Sequence, residues 1–325
     1  MNNSTKLDAI DKKILLALDM DARAHESLIS KKIKISKQMI NYRIKRLEQK
    51  GIIKSYYAVI DHTKIGYKLY RIALNIENAK PEKEKEIIQY LKQQASWIVS
   101  TLGNWNIFMA IYFKDEYEFM KFWNIFYQKY SYFIENKWIS IMTKFANLER
   151  SFILPENKNR EEMFQLGKEP ENRIIDEIDY KILTQLGKNA RQTSLEVSQN
   201  INETERIVRY RIKRLELQKI ILGYRVFIDT TLLGLKYYKI FLQLKDIKFA
   251  DFKKINYFLT QNPNIIYITE ALGGYDLEFE AQFIDSIELN KFINNIKNNF
   301  PLNIKKINHI EYIDEYKIEF FPNHP

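Results

Sequence analysis

The side chains best suited to chemistry in this sequence are cationic, amide and phenolic groups crowded into two short segments. In the first segment, apolar Ile40, Ile44 and Leu47 recur at helical spacing, which predicts a helix with one buried face. Cationic groups pair with phosphate, and amide groups form hydrogen bonds with base edges in the major groove of DNA. The candidate contacts with double-stranded DNA in this segment are Ser36, Lys37, Gln38, Asn41, Tyr42, Arg43, Lys45 and Arg46.

A simpler interpretation stays open for part of this set. A charged helix face is commonly just the solvated side of a helix. Arg43 also lies near the apolar stripe, so a partly buried, structural role is as compatible with its position as a DNA contact.

The second segment repeats the first. The heptapeptide YRIKRLE at residues 42–48 recurs at residues 210–216, 168 positions later. At the same offset Ile10-Asp11 matches Ile178-Asp179, and Ala22-Arg23 matches Ala190-Arg191. The chain is therefore two copies of a unit of about 150 residues. The candidate DNA contacts of the second copy are Thr204, Arg206, Arg209, Tyr210, Arg211, Lys213 and Arg214.

The positive charge is concentrated in the same two segments. The chain has a formal net charge of +10. Residues 1–66 hold 14 basic and 7 acidic side chains, and residues 172–234 hold 11 and 8. The remaining residues are close to neutral, with 26 basic and 26 acidic side chains. A chain that meets phosphate with two particular modules would concentrate its charge in this way.

Composition excludes several other classes of protein. There is no cysteine, and the four histidines are scattered, so we expect neither a disulfide framework nor a metal site. No cofactor is indicated. The N-terminus lacks the apolar core of a signal peptide, and the longest apolar run, residues 107–113, is too short to cross a membrane. We therefore expect a cytoplasmic protein with no membrane partner.

Each copy is expected to begin with a winged helix-turn-helix. Helices are predicted from Asp8, over residues 26–33, and from Ser36 to Gly51, with a strand over residues 52–60 in a two-stranded wing. Asp8 and Asp11 resemble a carboxylate pair for acid–base chemistry. Capping of a helix N-terminus is the better explanation, because Asp176 and Asp179 repeat the arrangement.

A second type of domain follows in each copy. Residues 71–154 and 237–313 each predict the order β-α-β-β-α-β, which is ferredoxin-like. The aromatic run over residues 117–133 is interpreted as core or subunit interface. The predicted fold class is α+β, with two winged helix-turn-helix domains alternating with two ferredoxin-like domains. The boundaries are 1–66, 67–155, a linker over 156–172, 173–234 and 235–325.

A set of residues spread along both copies carries a family resemblance: Leu7-Asp8, Ile10-Asp11, Ile14-Leu15, Ala22-Arg23, Ser36, the segment 43–48, Gly51-Ile52-Ile53 and LGGYDL at 272–277. With these residues the chain resembles the Lrp/AsnC (feast/famine) family of transcriptional regulators over nearly its whole length, as a tandem duplication. The resemblance implies a DNA-binding regulator whose effector (RAM) domains pair through their sheets and often bind an amino acid between subunits.

The resemblance also implies an effector site at the hairpin of each ferredoxin-like domain. Glycines there would let backbone amides face a ligand carboxylate. A plain hairpin turn, with Asp276 bonded to the backbone, is the competing interpretation. The candidate effector-binding residues are Gly273, Gly274, Tyr275 and Asp276 in the second copy and Gly103, Asn104, Trp105 and Asn106 in the first.

The two predicted reading helices differ at their exposed positions. Lys37, Gln38 and Asn41 of the first copy correspond, in that order, to Glu205, Arg206 and Arg209 of the second. An acidic residue near the start of such a helix repels phosphate or accepts from a cytosine amino group. We therefore hypothesise that the modules read different half-sites, or that the second binds DNA more weakly.

Two other functions compete with DNA-dependent regulation. Sirohaem decarboxylases resemble this family and also occur as fused copies, but residues 97–102 and 265–272 offer no histidine or arginine as a proton donor. A metabolite-sensing module without DNA binding is disfavoured by the charge of residues 1–66. We expect a homodimer with pseudo-symmetry within each chain.

Overall fold

The computed structural model describes residues 6–154, 160–167, 173–245 and 248–322. Within these ranges the elements follow a repeated order. The first half contains α1 (Ala9–Met20), α2 (Glu26–Ile33), α3 (Lys37–Gln49), β1 (Ile53–Ile60), β2 (Lys68–Ile76), α4 (Pro81–Gln94), β3 (Trp97–Gly103), β4 (Ile107–Phe113), α5 (Glu116–Tyr130), β5 (Ile134–Leu148) and β6 (Glu162–Leu166). The second half contains α6 (Glu177–Lys188), α7 (Ser194–Ile201), α8 (Glu205–Leu217), β7 (Ile221–Ile228), β8 (Lys236–Leu244), α9 (Phe249–Gln261), β9 (Ile265–Leu272), β10 (Leu277–Phe283), α10 (Ser286–Asn299) and β11 (Ile304–Ile318).

Side-chain caps fix the start of the first helix in each half. The Asp8 carboxylate accepts from the Asp11 backbone N–H, and the Asp11 carboxylate accepts from that of Asp8. Asp176 and Asp179 form the same reciprocal pair at α6. Each pair satisfies two backbone donors that a helix start leaves open. The capping explanation for these carboxylates is confirmed.

The helices α1–α3 with β1 form the first head, and α6–α8 with β7 form the second head. β1 pairs antiparallel with β7, so each head supplies one strand to a shared two-stranded sheet. The sequence predicted a two-stranded wing within each copy, whereas this strand finds its partner in the other copy. Two further backbone hydrogen bonds join the heads, from Ala22 N to Tyr224 O (3.0 Å) and from Ala190 N to Tyr56 O (2.8 Å).

The two heads are held in one hydrophobic core. Buried side chains of both join there, including Ile44 and Leu47 of α3 and Ile212 and Leu215 of α8. Packing of this kind resists independent movement of the heads. The two helices α3 and α8 are therefore presented in a fixed relative arrangement.

The remaining strands form a nine-stranded sheet in the order β2-β4-β3-β11-β8-β10-β9-β5-β6, with β2 also paired to β5. The first eight of these strands therefore close into a ring, called here the sheet ring. Each half contributes four neighbouring strands, β5-β2-β4-β3 and β11-β8-β10-β9, and the halves join at β3–β11 and β5–β9. Pairing at both joints removes the exposed sheet edges that promote aggregation.

The outside of the sheet ring is covered by helices. Buried α5 side chains Phe119, Phe122 and Phe126 pack with those of β2 and β4, so most of the aromatic run forms core, while its Tyr117 and Tyr132 are exposed. Helices α9 and α10 cover the second half in the same way.

The inside of the sheet ring mixes aromatic and charged groups. Arg71 contributes two hydrogen bonds to Glu278, and Lys239 Nζ lies 3.2 Å from the same carboxylate. Burial acts to raise the pKa of Glu278, but the adjacent Arg71 and Lys239 outweigh it and hold that pKa below its ordinary value.

The predicted linker over residues 156–172 contains a strand. β6 pairs antiparallel with the end of β5, so Phe145 faces Leu166. Arg160 anchors the segment by donating to the carbonyl oxygens of Thr260 (3.0 Å) and Ile265 (2.9 Å). Residues 156–159 and 168–172 of this prediction lie outside the described residues.

Candidate nucleic-acid interface

The outer face of α3 carries most of the predicted contacts. Ile40, Ile44 and Leu47 are buried, so the opposite side of the helix is turned to solvent. The Ser36 hydroxyl caps the helix by accepting from the Met39 backbone N–H at 3.2 Å. The exposed side chains on this face are Lys37, Gln38, Asn41, Tyr42 and Lys45.

Two predicted contacts on α3 are turned towards α1 instead. Arg43 Nη1 lies 2.6 Å from Asp8 Oδ2 and 2.8 Å from Asp11 Oδ1. Arg46 Nη2 donates to both carboxylate oxygens of Asp11, at 2.7 and 2.6 Å. The hydrogen bond from Arg43 holds the pKa of Asp8 below its ordinary value. These contacts favour a structural role for Arg43, which the sequence left open, and the same role for Arg46.

The second head repeats this arrangement. Arg211 donates to Asp176 and Asp179, and Arg214 donates to Asp179. A backbone hydrogen bond from Asp179, together with the Arg211 guanidinium, holds the pKa of Asp176 below its ordinary value. The two arginines of each reading helix therefore join α3 to α1 and α8 to α6.

Most of the repeated heptapeptide is explained by these internal contacts. Glu48 accepts from the Tyr56 hydroxyl at 2.6 Å, and Glu216 accepts from the Tyr224 hydroxyl at 2.5 Å. The two apolar positions of each copy are buried and the two arginines are paired. The exposed positions without such a contact are Tyr42 and Lys45 in the first head and Tyr210 and Lys213 in the second. Each copy has an Asp pair at the same spacing before its arginines, for example Asp176 and Asp179 at 35 and 32 positions before Arg211. This repeated spacing was the sequence signal for the ion pairs.

Most positions that differ between α3 and α8 lie in the first turns of the helix, and the last position also differs, Gln49 against Leu217. Thr204 caps α8 by accepting from the Ile207 backbone N–H at 3.3 Å. Arg206 is exposed, and Arg209 forms an ion pair with Glu205 one helical turn away. The first head has no such pairing among its described residues at Lys37 and Asn41. The outward charge of the second head is therefore partly neutralised within its own helix.

The hairpin of the second half is tied by a side chain to the end of the neighbouring strand β8. Asp276 Oδ2 accepts from the Leu244 backbone N–H at 2.7 Å. Asn106 does the same in the first half, accepting from the Ile76 backbone N–H at 2.9 Å. These equivalent bonds support the plain-hairpin interpretation. The carboxylate of Asp276 and the amide of Asn106 both serve to accept a backbone N–H from a neighbouring strand.

The rest of each hairpin closes one end of the sheet ring. A Cβ on Gly274 would lie 1.9 Å from Trp138 Nε1, and one on Gly103 would lie 2.8 Å from the His309 carbonyl oxygen. Gly273 has a φ of +84°, which favours glycine. Trp105 and Tyr275 pack against the buried cluster inside the sheet ring. Asn104 is exposed.

The described ranges contain neither a membrane-spanning helix nor a cluster of metal-binding side chains. No helix there combines the length and hydrophobicity that a membrane span requires. In the same ranges, no group of three or more histidine and acidic side chains is placed to hold a metal ion.

Two helix-turn-helix heads carried on one β-sheet ring place this chain among the helix-turn-helix proteins. Residues 7–54 match the family of winged helix-turn-helix DNA-binding domains, and residues 175–216 match the AsnC-type helix-turn-helix domain. The HTH-type transcriptional regulator PH0140 of Pyrococcus horikoshii is 30% identical over 123 residues, which are 37% of this chain and 77% of that protein. The regulator PF0054 of Pyrococcus furiosus is 30% identical over 133 residues, 41% of this chain and 86% of that protein.

The chain belongs to the Lrp/AsnC family of HTH-type transcriptional regulators, with the family unit present twice. Among solved structures, the siroheme decarboxylase NirDL is similar with a TM-score of 0.63. The likeness covers 95% of this chain and 92% of that one, at 11% sequence identity. At this identity the likeness establishes a shared fold and nothing further.

Proposed function

We propose that this regulator binds specific double-stranded DNA sequences mainly through the outward face of α3. The observation that carries the proposal is the row of exposed polar and cationic side chains on a helix whose other face is buried. Gln38 and Asn41 have the amide groups that pair with adenine in the major groove. Lys37 and Lys45 are placed to contact phosphates, and such contacts supply most of the affinity.

The arginines take a different part in this proposal. Arg43 and Arg46 orient α3 by holding it against the capped end of α1, and Arg211 and Arg214 do the same for α8. They act as positioning residues for the reading face, because their guanidiniums are engaged by carboxylates. The direct contacts are then Ser36, Lys37, Gln38, Asn41, Tyr42 and Lys45 in the first head and Thr204, Arg206, Arg209, Tyr210 and Lys213 in the second.

The second head is proposed to contribute a weaker or different half-site. Glu205 occupies the position of Lys37 and pairs with Arg209. An acid at the start of a reading helix repels phosphate, and its partner is less available to the backbone. DNA bound by one chain would then have two unequal half-sites at a spacing set by the shared β1–β7 sheet.

We propose two ferredoxin-like effector domains with the boundaries expected from the sequence, assembled as a pseudo-dimer within the chain. The strand orders of the two halves support this assignment. A homodimer of such chains would display four heads. A role for the hairpin residues in binding an amino acid is carried by family resemblance, and no catalytic role is proposed.

The test compares matched variants of the full chain on a duplex selected from random sequences. Replacing Lys37, Gln38 and Asn41 by alanine removes two amide contacts and one cation. We expect binding at least tenfold weaker, and a smaller salt dependence, in electrophoretic and anisotropy titrations. The equivalent change at Glu205, Arg206 and Arg209 should cost less.

Lys121→Ala serves as the control, because this lysine is exposed on α5, away from the heads. It should bind the selected duplex as the unaltered chain does. Equal affinity and an equal salt dependence for the α3 triple variant would refute the proposed reading face. A larger loss from the α8 variant would reverse the proposed order of the two heads.

A further inference from the structure

A cavity of about 460 Å³ lies where the shared sheet of the two heads meets the open end of the sheet ring. Its wall combines β1 and β7 of the heads with strands from both halves of the sheet ring. Its volume falls in the range that proteins use to bind small molecules. The cavity is far from the hairpins, since the hairpin glycines and aromatics are absent from its lining.

Flat aromatic rings form much of the wall. Tyr57 stacks on Phe320 with ring centroids 3.5 Å apart, and Tyr237 stacks on Tyr312 at 4.8 Å. Phe145 and Tyr267 are 5.0 Å apart on neighbouring strands. Such rings favour a ligand with a planar apolar body.

One end of the cavity has an excess of buried positive charge. Asp19 accepts from both Arg150 and Arg225, so two guanidiniums share one carboxylate, and all three side chains are fully or almost fully buried. Burial acts to raise the pKa of Asp19, but Arg225 and Arg150 outweigh it and hold that pKa below its ordinary value. The cluster therefore keeps a net charge of about +1.

The same end has hydrogen-bond donors to spare. Arg150 Nε and Asn147 Nδ2 are buried and have no partner among the described residues, while Asn147 Oδ1 accepts from Arg225 at 3.3 Å. Both residues line the cavity and are only 3% exposed. Unpaired donors beside an uncompensated cation favour an anionic oxygen, because burial without a partner is costly.

The opposite side of the cavity has acceptors. Gln282 donates to the Thr230 hydroxyl at 2.7 Å, which leaves its Oε1 buried without a partner among the described residues. Glu280 and Asn147 each face Tyr267 in strand register, so they are two strands apart, about 10 Å, and Gln282, two residues further along β10, is about 12 Å from Asn147 between backbones. A molecule with a carboxylate at one end and a hydroxyl or amino group at the other spans such a gap.

We propose that this cavity binds a small aromatic carboxylate, with its carboxylate at Arg150 and Asn147 and its ring against the tyrosine walls. The polar group at the far end of the ring is placed to donate to Gln282. The proposal adds a ligand site to the proposed DNA-binding function and rests on that function only for its regulatory consequence. Because β1 and β7 form part of the wall, an occupant touches the sheet that sets the spacing of the heads.

The test uses three related probes and the full chain. 4-Hydroxyphenylacetate and L-tyrosine carry a carboxylate, whereas tyramine keeps the ring and amine without one. We expect titration calorimetry and quenching of tryptophan fluorescence, to which Trp97 in the cavity wall contributes, to show binding of a carboxylate probe and at least tenfold weaker binding of tyramine. Equal binding of tyramine, or no binding of either carboxylate, would overturn the proposal.

The Asn147→Asp variant tests whether the ligand binds in this cavity. The variant keeps the acceptor for Arg225, removes the spare donor and neutralises the excess charge, so carboxylate binding should weaken at least tenfold without loss of thermal stability. Asn136→Asp makes the same charge change at an exposed position of β5 and should bind normally. Unchanged binding by Asn147→Asp would refute the location. Retained binding to the selected duplex by the unliganded chain would show that the DNA-binding function stands even where the ligand proposal fails.

Discussion

The two heads agree in their interior and differ where they face outward. Each has a capped first helix whose two carboxylates hold two arginines of the third helix. Each also joins the third helix to the following strand through a tyrosine–glutamate bond. The exposed positions at the start of α3 and α8 have diverged. Repetition within this chain therefore reports what the head needs to fold, while the divergent positions are those of the proposed reading face.

The heads also differ in how they are anchored to the rest of the molecule. Asp19 of α1 holds Arg150 and Arg225 in a buried cluster. The matched position on α6 is Gly187, where an added Cβ would lie 3.1 Å from Phe321 Cβ of the chain's C-terminal segment. Asp19 thus ties the first head to Arg150, beyond β5, and to Arg225 of the second head, whereas Gly187 on α6 leaves room for the side chain of Phe321.

The largest effect is expected from removing the ionic anchor. Asp19→Ala leaves two buried guanidiniums without their carboxylate, which should lower the free energy of unfolding by about 3–5 kcal/mol. Urea unfolding measures this change. Asp21→Ala, at an exposed position just beyond the same helix, should cost about 1 kcal/mol or less. A loss of similar size in both variants would mean that the first head does not depend on this cluster.

Local patterns predicted much of the head from the sequence. The apolar spacing of Ile40, Ile44 and Leu47 fixes which side of α3 is buried, and Ser36 marks its start. The order of helices and strands in each half also follows local periodicity and turn residues. The same pattern in the second copy predicts the same elements there.

Contacts between distant segments could not be predicted in this way. The pairing of β1 with β7 joins strands 168 positions apart, and either strand alone has the same alternation as a wing strand. The cluster of Asp19, Arg150 and Arg225 unites residues up to 206 positions apart. No spacing rule relates such residues, because the sheet ring rather than the local chain brings them together. The cavity beside them was therefore also missed.

A second difference between the copies should appear as pH dependence. His62 is buried beside Tyr112, at 4.8 Å between rings, and burial lowers its pKa to about 3; the matched position in the second copy is Thr230. Between pH 6.5 and about 3 the unfolded chain binds more protons here than the folded chain. This part of the stability is complete above pH 6.5 and is lost as pH falls, by about 2 kcal/mol from pH 7.5 to 5.0.

His62→Thr copies the second unit into the first and should flatten this dependence. Urea unfolding at pH 7.5, 6.0 and 5.0 gives the slope, which is independent of any constant loss caused by the smaller side chain. His25→Thr, at an exposed position, should leave the slope as it is. An unaltered slope in the His62 variant would assign the acid sensitivity to other groups.

The smallest effect comes from one backbone position that follows each reading helix. Gly51 has a φ of 72°, and the matched Lys219 has a φ of 56°. A left-handed conformation costs a non-glycine residue about 1–2 kcal/mol, while glycine loses more chain entropy on folding. A Cβ on Gly51 would meet Leu232 at an ordinary 3.8 Å, so sterics add little there.

Gly51→Lys should therefore destabilise the chain by about 1 kcal/mol, and Lys219→Gly should stabilise it by about 0.5–1 kcal/mol. Opposite signs in chemical unfolding would confirm that one turn ends both reading helices. If both changes destabilise, Lys219 makes a favourable contact that outweighs its strained backbone, and the two turns are not equivalent.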